Sequence, residues 1–241
     1  TGNSALMTNT TGSANTAIGM KALCGNTTGG ANTSSGMYSM VSNTTGAAST
    51  ASGYKALFSN TTGACNTSVG VQSMLSNTTG CRNTASGNYA LKLNTTGIKN
   101  TAVGMFALTN NTTAEQNTAL GYATLDVNTT GNKNVAVGAA TLKSNTTASQ
   151  NTAVGFSSLY TNTTGGANTT TGMYSMYSNT TGEQNTASGY YTLGKNSTGS
   201  YNTAHGWKAM FCNTTGVCNT ATGHQALLCN CTGIRNTAVG Y

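Results

Sequence analysis

The chain has no proline, three acidic residues against ten basic ones, and a single tryptophan. Without proline, its corners fall to glycine and to the short polar side chains of its turns. With 5% of residues charged and 37% hydrophobic, the surface facing water is built from Asn, Thr, Ser and Gly rather than from ions. No stretch approaches the ~18 apolar residues of a membrane-spanning helix, so no membrane insertion is expected of this segment, and no signal peptide is visible. No Cys-x-x-Cys pair occurs among the seven cysteines, which excludes the commonest zinc pattern. Low charge and small residues also describe a disordered linker. The regular placing of the large apolar residues argues against one.

What the chain has is a step. The phrase Asn-Thr-Thr-Gly, or a one-residue variant of it, opens at Asn9, Asn26, Asn43, Asn60, Asn77, Asn94, Asn111, Asn128, Asn145, Asn162, Asn179, Asn196, Asn213 and Asn230, every 17 residues without insertion or deletion. A fixed period is the signature of a repeat architecture in which each unit touches mainly its neighbours. The chain therefore reads as one elongated domain, 1–241. It opens on Thr1 and starts and stops inside a repeat, as a segment of a longer chain or polymer would.

Numbered from that Asn, the repeat is N-T-T-G-x-x-N-T-A-x-G-x-x-A-L-x-x. Position 1 is always Asn and position 3 always Thr; position 4 is Gly except at Ala114 and Ala148. Position 7 is Asn except at Ser49, position 9 is small, position 11 is always Gly, and position 15 is always Leu or Met. Positions 5, 6, 13, 16 and 17 vary freely. Such a unit is too short for a helix pair and suits one coil of an all-β, parallel β-solenoid, with strands near positions 7 to 10 and 12 to 15. Coils stacked at about 4.8 Å put identical positions above one another and give a rod on the order of 65 Å long. The position-15 column is then the core, with small side chains at 9 and 14 beside it. The glycine of position 11 supplies a positive-φ corner, and the Asn and Thr of the turns form ladders.

That core is thin, so further apolar area is expected from position 12 (Met20, Met37, Tyr54, Phe156, Tyr190 and Trp207 among others) and from Ile18, Val69, Val103 and Leu120 at position 10. Taken as one strand face, positions 10 and 12 read as a seam through which several rods associate.

The phrases Asn15 to Gly19, Asn100 to Gly104, Asn151 to Gly155 and Asn236 to Gly240, read Asn-Thr-Ala-Ile/Val-Gly, resemble the head repeats of trimeric autotransporter adhesins and related tail-fibre repeats. The resemblance covers nearly the whole chain. It implies a left-handed parallel β-roll, with three rolls packed side by side through the position-10/12 seam. This chain departs from the pattern in its longer period and in the Ser, Thr or His at half its position-10 sites.

No catalytic residues and no cofactor are expected. Glu115 and Glu183 share position 5 but lie four coils apart, roughly 19 Å at the stacking distance, beyond any carboxylate pair acting on one bond. His205 and His224, without an acid beside them, make a poor metal site. Basic residues stand singly from Lys21 to Arg235, with only Arg82, Lys99, Lys133 and Arg235 sharing a position, so no nucleic-acid partner is expected.

Cys212 and Cys229, both at position 17 of successive coils, are candidates for a disulfide, with Cys65 and Cys81 the next pair. Bridges fit an extracellular product. Every position-1 Asn, from Asn9 to Asn230, also heads an N-x-[ST] glycosylation pattern. One glycan per coil would crowd sugars about 4.8 Å apart, so an internal ladder is the expected use of that Asn. Flat Thr arrays on small solenoids bind ice, but Thr-x-Thr occurs in the strand only at Thr169 to Thr171 and Thr220 to Thr222. The position-13 aromatics Tyr38, Tyr89, Phe106, Tyr174 and Tyr191 are too often interrupted to read as a site. The expectation is an extracellular structural or adhesive fibre segment on a cell or virion surface. Its partners are other copies of itself, as a lateral trimer or end-to-end filament, and host or matrix glycans or proteins; the alternatives are a glycosylated matrix fibril and an ice-binding solenoid.

Overall fold

Each repeat contributes one three-residue strand at positions 8 to 10 in a computed structural model that describes residues 1–241. The chain divides into two compact units. In Thr1–Asn117 the strands are β1 (Thr16–Ile18), β2 (Thr33–Ser35), β3 (Thr50–Ser52), β4 (Thr67–Val69), β5 (Thr84–Ser86) and β6 (Thr101–Val103). In Thr118–Tyr241 they are β7 (Thr118–Leu120), β8 (Val135–Val137), β9 (Thr152–Val154), β10 (Thr169–Thr171), β11 (Thr186–Ser188), β12 (Thr203–His205), β13 (Thr220–Thr222) and β14 (Thr237–Val239). Within a unit each strand pairs in parallel with the next at the same repeat position, as Thr16 with Thr33 and Thr152 with Thr169. The fold is the expected all-β parallel β-solenoid with a 17-residue repeat.

The second strand, expected at positions 12 to 15, is absent. Those residues form a run of turns. In the coil that carries β1, the Ala22 amide reaches back to the Gly19 carbonyl at 3.2 Å and the Cys24 amide to that of Lys21 at 3.3 Å. The third residue of each turn is left-handed, as in a type II turn: Lys21 has φ 54° and Leu23 φ 54°. Position 6 is left-handed too, so three ordinary residues per coil take a conformation that costs an L-residue about 1–2 kcal/mol. Such strain persists only where the surroundings over-determine it. Here coil-to-coil amides do so: Tyr38 donates to Met20 O at 2.9 Å, Leu23 to Ser39 O at 3.0 Å and Ala31 to Ser13 O at 2.9 Å.

This backbone explains a restriction at position 15. Ile and Val would fill a core as Leu and Met do, but branching at Cβ is poorly tolerated at positive φ. Every position-15 residue has φ between 47° and 54°, and none is β-branched. The two recurring glycines also separate by cause. At position 11, φ lies between 121° and 146°, closed to a side chain. Position 4 carries no positive φ; Gly is there because an added Cβ at Gly29 would meet the Gly46 carbonyl and Asn26 Oδ1. A small shift can relieve crowding but not a forbidden φ, which is why position 4 admits Ala114 and Ala148 and position 11 admits nothing.

The core is the expected one. Leu23, Met40, Leu57 and Met74 in the first unit and Leu142, Leu159, Met176 and Leu193 in the second are fully buried, flanked by position-9 and position-14 side chains. Where these are hydroxylic they find partners, as buried polar groups must. Ser34 bonds Ser39 within one coil, Ser158 bonds Thr170 at 2.6 Å, and Thr141 Oγ1 donates to Gly155 O at 2.6 Å.

Candidate functional site

The position-1 asparagines are structural members of the corner. In the first unit Asn26 Nδ2 donates to Asn9 Oδ1 at 2.7 Å and to its own coil's Gly29 O at 2.8 Å; Asn43 and Asn60 continue the ladder at 2.7 and 2.8 Å. In the second unit Asn162 and Asn179 do the same at 3.0 and 2.7 Å. All from Asn26 to Asn213 are fully buried, while Asn9 and Asn230 are half-buried. A glycan on one of the buried members would replace an Nδ2 hydrogen that the corner uses.

Position 7 makes a second ladder. Asn32 Nδ2 donates to Gly46 O at 2.8 Å, and Asn15 Oδ1 accepts the Asn32 amide at 2.9 Å. Ser49 fits because its hydroxyl takes over as acceptor, receiving the Asn66 amide at 3.1 Å. At position 2 the ladder runs to backbone: the amides of Thr27, Thr28 and Gly29 and the Thr27 hydroxyl all converge on the Thr44 carbonyl, at 3.0 to 3.2 Å.

The remaining sequence candidates are dispersed. All seven cysteines are free thiols, with Cys65 and Cys229 exposed and Cys81 and Cys212 half-buried. His205 lies on the exposed edge of β12, whereas His224 is stacked between Trp207 and Tyr241 at 4.6 and 4.8 Å. No three His, Cys, Asp or Glu side chains gather to hold a metal ion. Glu115 and Glu183 are exposed.

The turn run creates a face that position-by-position reading missed. The strand ends at position 10, and the glycine of position 11 turns the chain, so position 12 leaves the strand and joins positions 13 and 16 on the outside of the turns. The continuous 10/12 strand face is thus divided. Position 10 stays on the strand with exposed Ile18, Val69, Val103 and Val154, beside an outward Thr column at position 8. Fifteen of the sixteen aromatic side chains occupy positions 12, 13 and 16, the exception being Tyr201 at position 6. No single column announces this, because the rings alternate among three.

In the second unit these rings touch. Tyr174 stacks on Tyr191 with centroids 4.8 Å apart, Tyr160 stacks on Tyr177 at 5.1 Å, and Tyr174 meets Tyr177 edge-on at 5.6 Å. Phe156 and Tyr190 stand nearly perpendicular to the position-13 rings, at 86° to Tyr174 and 88° to Tyr191. Gly194 at position 16 leaves the room that Phe211 fills against Tyr191 at 5.7 Å. Burial among its neighbours, then the phenols of Tyr190, Tyr174 and Tyr177, raise the Tyr191 pKa above the ordinary phenol value.

Lysine follows the rings. The six lysines outside position 6 are Lys21, Lys55, Lys92, Lys143, Lys195 and Lys208, and each holds its Nζ over an aromatic ring of this face, between 4.4 and 5.9 Å from a centroid. In the first unit Lys21, Tyr38, Val41, Tyr54, Lys55 and Phe58 line an open recess of about 480 Å³. Compared with protein-family models, curated proteins and solved structures, the chain matches none.

Proposed function

We propose that this chain is a passive structural and adhesive segment of an extracellular fibre, such as an adhesin stalk or head, a tail fibre or a surface filament, and that it carries no catalytic activity. The observation that supports this is the division of labour inside each coil. The corner and core repeat nearly unchanged and join coil to coil, while the residues that differ lie on the outside. Repeating a self-complementary interior is how a chain gains length; enzymes instead concentrate unlike groups at one place. Lateral association, as a trimer or a related bundle, would use the exposed apolar members of position 10, Ile18, Val69, Val103 and Val154, with Met20, Met37, Met105 and Met173 at their edge. Covering these side chains with a second chain would recover the cost of exposing them to water. Electron microscopy of the purified protein tests the fibre: elongated particles or filaments support it, and round particles overturn it. Sedimentation tests the seam, since a monomer at micromolar concentration removes lateral association.

The buried, doubly bonded Nδ2 of position 1 favours a bare fibre over a glycan-coated one. An intact mass equal to that of the sequence is expected. One observation favours ice binding as a second reading: Thr16, Thr33, Thr50, Thr67 and Thr84 form an outward column on the strand face of the first unit. Thermal hysteresis decides between the two.

A further inference from the structure

We infer that the outer turn face binds an acidic polysaccharide, with the recess of Lys21, Tyr38, Val41, Tyr54, Lys55 and Phe58 taking one sugar ring that bears a carboxylate or sulfate. This rests on the extracellular reading above and adds a partner to it.

Two features of the recess define the ligand. Its walls are aromatic and aliphatic, and its volume of about 480 Å³ lies in the range of small-ligand sites. Its cations are amines placed against those walls: Lys55 Nζ is 5.3 Å from the Tyr54 centroid and 5.4 Å from that of Phe58, and Lys21 Nζ is 5.9 Å from that of Tyr38. No acid occupies the three coils that form it, the nearest in sequence being Glu115. An occupant must therefore offer a flat, weakly polar face to the rings and an anionic group at its rim. A pyranose with a carboxylate or sulfate has both, because its axial C–H groups form an apolar face while its charged substituent lies at the edge.

The same set recurs in the second unit. Lys208 Nζ lies 4.4 Å over Trp207 and 5.7 Å from Phe211, and Lys195 Nζ lies 5.2 Å from Phe211. Recurrence in a separate unit is what a polymer with repeated charged rings would engage, several weak subsites adding through effective concentration.

A single-stranded nucleic acid is the rival anion with flat rings. It binds by stacking bases on aromatic faces while its phosphates are neutralised by cations. On this face the rings outnumber the lysines, and the parallel pairs Tyr89–Phe106, Tyr160–Tyr177 and Tyr174–Tyr191 already cover one another at 4.8 to 5.3 Å. Few faces are left for bases, and too few charges for a phosphate at each. At position 12 Phe156 is 47% exposed and Tyr190 36%, each already meeting a position-13 ring edge-on.

The test measures binding of polygalacturonate, heparin, dextran and an oligo-dT strand to the whole chain and to variants borrowed from its other coils. Lys21→Gln with Lys55→Gln places at position 13 the residue found there at Gln72 and Gln225; Tyr54→Ala with Phe58→Leu copies Ala139 and Leu75. Each variant thus carries a side chain that the solenoid already accommodates, and an unchanged thermal melt verifies the fold. Polygalacturonate, heparin or both bind and dextran does not; binding of polygalacturonate shows that a carboxylate suffices, and binding of heparin alone shows that sulfate is required. Each double variant weakens binding about tenfold, the first by removing the two amines that make charge-assisted contacts and the second by removing two of the ring faces. The inference is overturned if neither acidic polymer binds, if dextran binds equally, if the lysine variant alone has an effect, or if oligo-dT binds more tightly than both. Round particles in the microscope together with acidic-glycan binding would remove the fibre and leave this site standing.

Discussion

The corner of each coil and its outer turn are built from the same length of chain to opposite ends. At the corner, Asn, Thr and Gly recur because their polar groups pair with groups of the neighbouring coil: Asn60 Nδ2 on Asn43 Oδ1 at 2.8 Å, the Thr61 amide on the Thr78 carbonyl at 3.0 Å. A change in one coil removes a partner from the next. On the turn, the backbone is held just as firmly, but the side chains point away, so Tyr, Lys, Met, Asn or Ala all serve. Invariance along this chain marks reciprocity between coils, and variation marks the surface where recognition can be written.

Asn60→Ala tests the contrast most strongly. It leaves Asn43 Oδ1 and the Gly63 carbonyl buried without the donor they now share, and at about 1–3 kcal/mol for each orphaned group the expected loss is about 4 kcal/mol by denaturant unfolding. Gly53→Ala follows, because φ of 136° and the Gly70 backbone both oppose a Cβ; a loss of about 3 kcal/mol is expected. Gly63→Ala at position 4 should cost clearly less, as Ala114 and Ala148 show the crowding there can be relieved. Equal losses at the two glycines would remove the distinction between a conformational and a steric glycine.

Leu159→Ile examines the turn's left-handed backbone. Swaps of this kind usually cost under about 1.5 kcal/mol in a core; φ of 49° should raise the loss to about 2–3 kcal/mol, while Leu159→Met, the residue of Met176 in the next coil, should be nearly neutral. Tyr191 offers a test by pH. Its folded pKa is raised above the ordinary phenol value, so the neutral phenol stabilises the folded chain below that value. The contribution is lost as pH rises through the raised one. Phenolate absorbance should show one tyrosine titrating late, and Tyr191→Phe should abolish it. Smallest of all, Tyr54→Ala should shift stability by no more than about 0.5 kcal/mol, whatever it does to ligand binding.

The sequence made the solenoid plain because a 17-residue step with Gly, Asn and Leu in fixed places has few physical solutions. Position 15 as core, position 11 as positive-φ corner and the Asn ladders all follow from what stacking demands of identical residues. The second strand was misjudged for a specific reason. Lys21, Tyr38 and Leu57 give no sign of positive φ, as Gly or Asn would, since coil-to-coil bonds rather than local preference hold them there. The outer face was missed by the same cause. Left-handed residues at 13 and 15 bring position 16 round beside 12 and 13, so Tyr174 meets Tyr177 of its own coil and Tyr190 of the next.

The unshifted register between strands has a further consequence for how such a chain changes length. Because every coil finds its partners at the same positions of its neighbours, as Thr33 with Thr50 and Thr50 with Thr67, excision or duplication of one whole repeat rejoins like to like. A slip that is not a whole number of repeats breaks that register and parts the Asn and Gly columns from their partners. A chain shortened or lengthened by whole coils would therefore keep its interior pairing while carrying a new order of rings and lysines along its turn face.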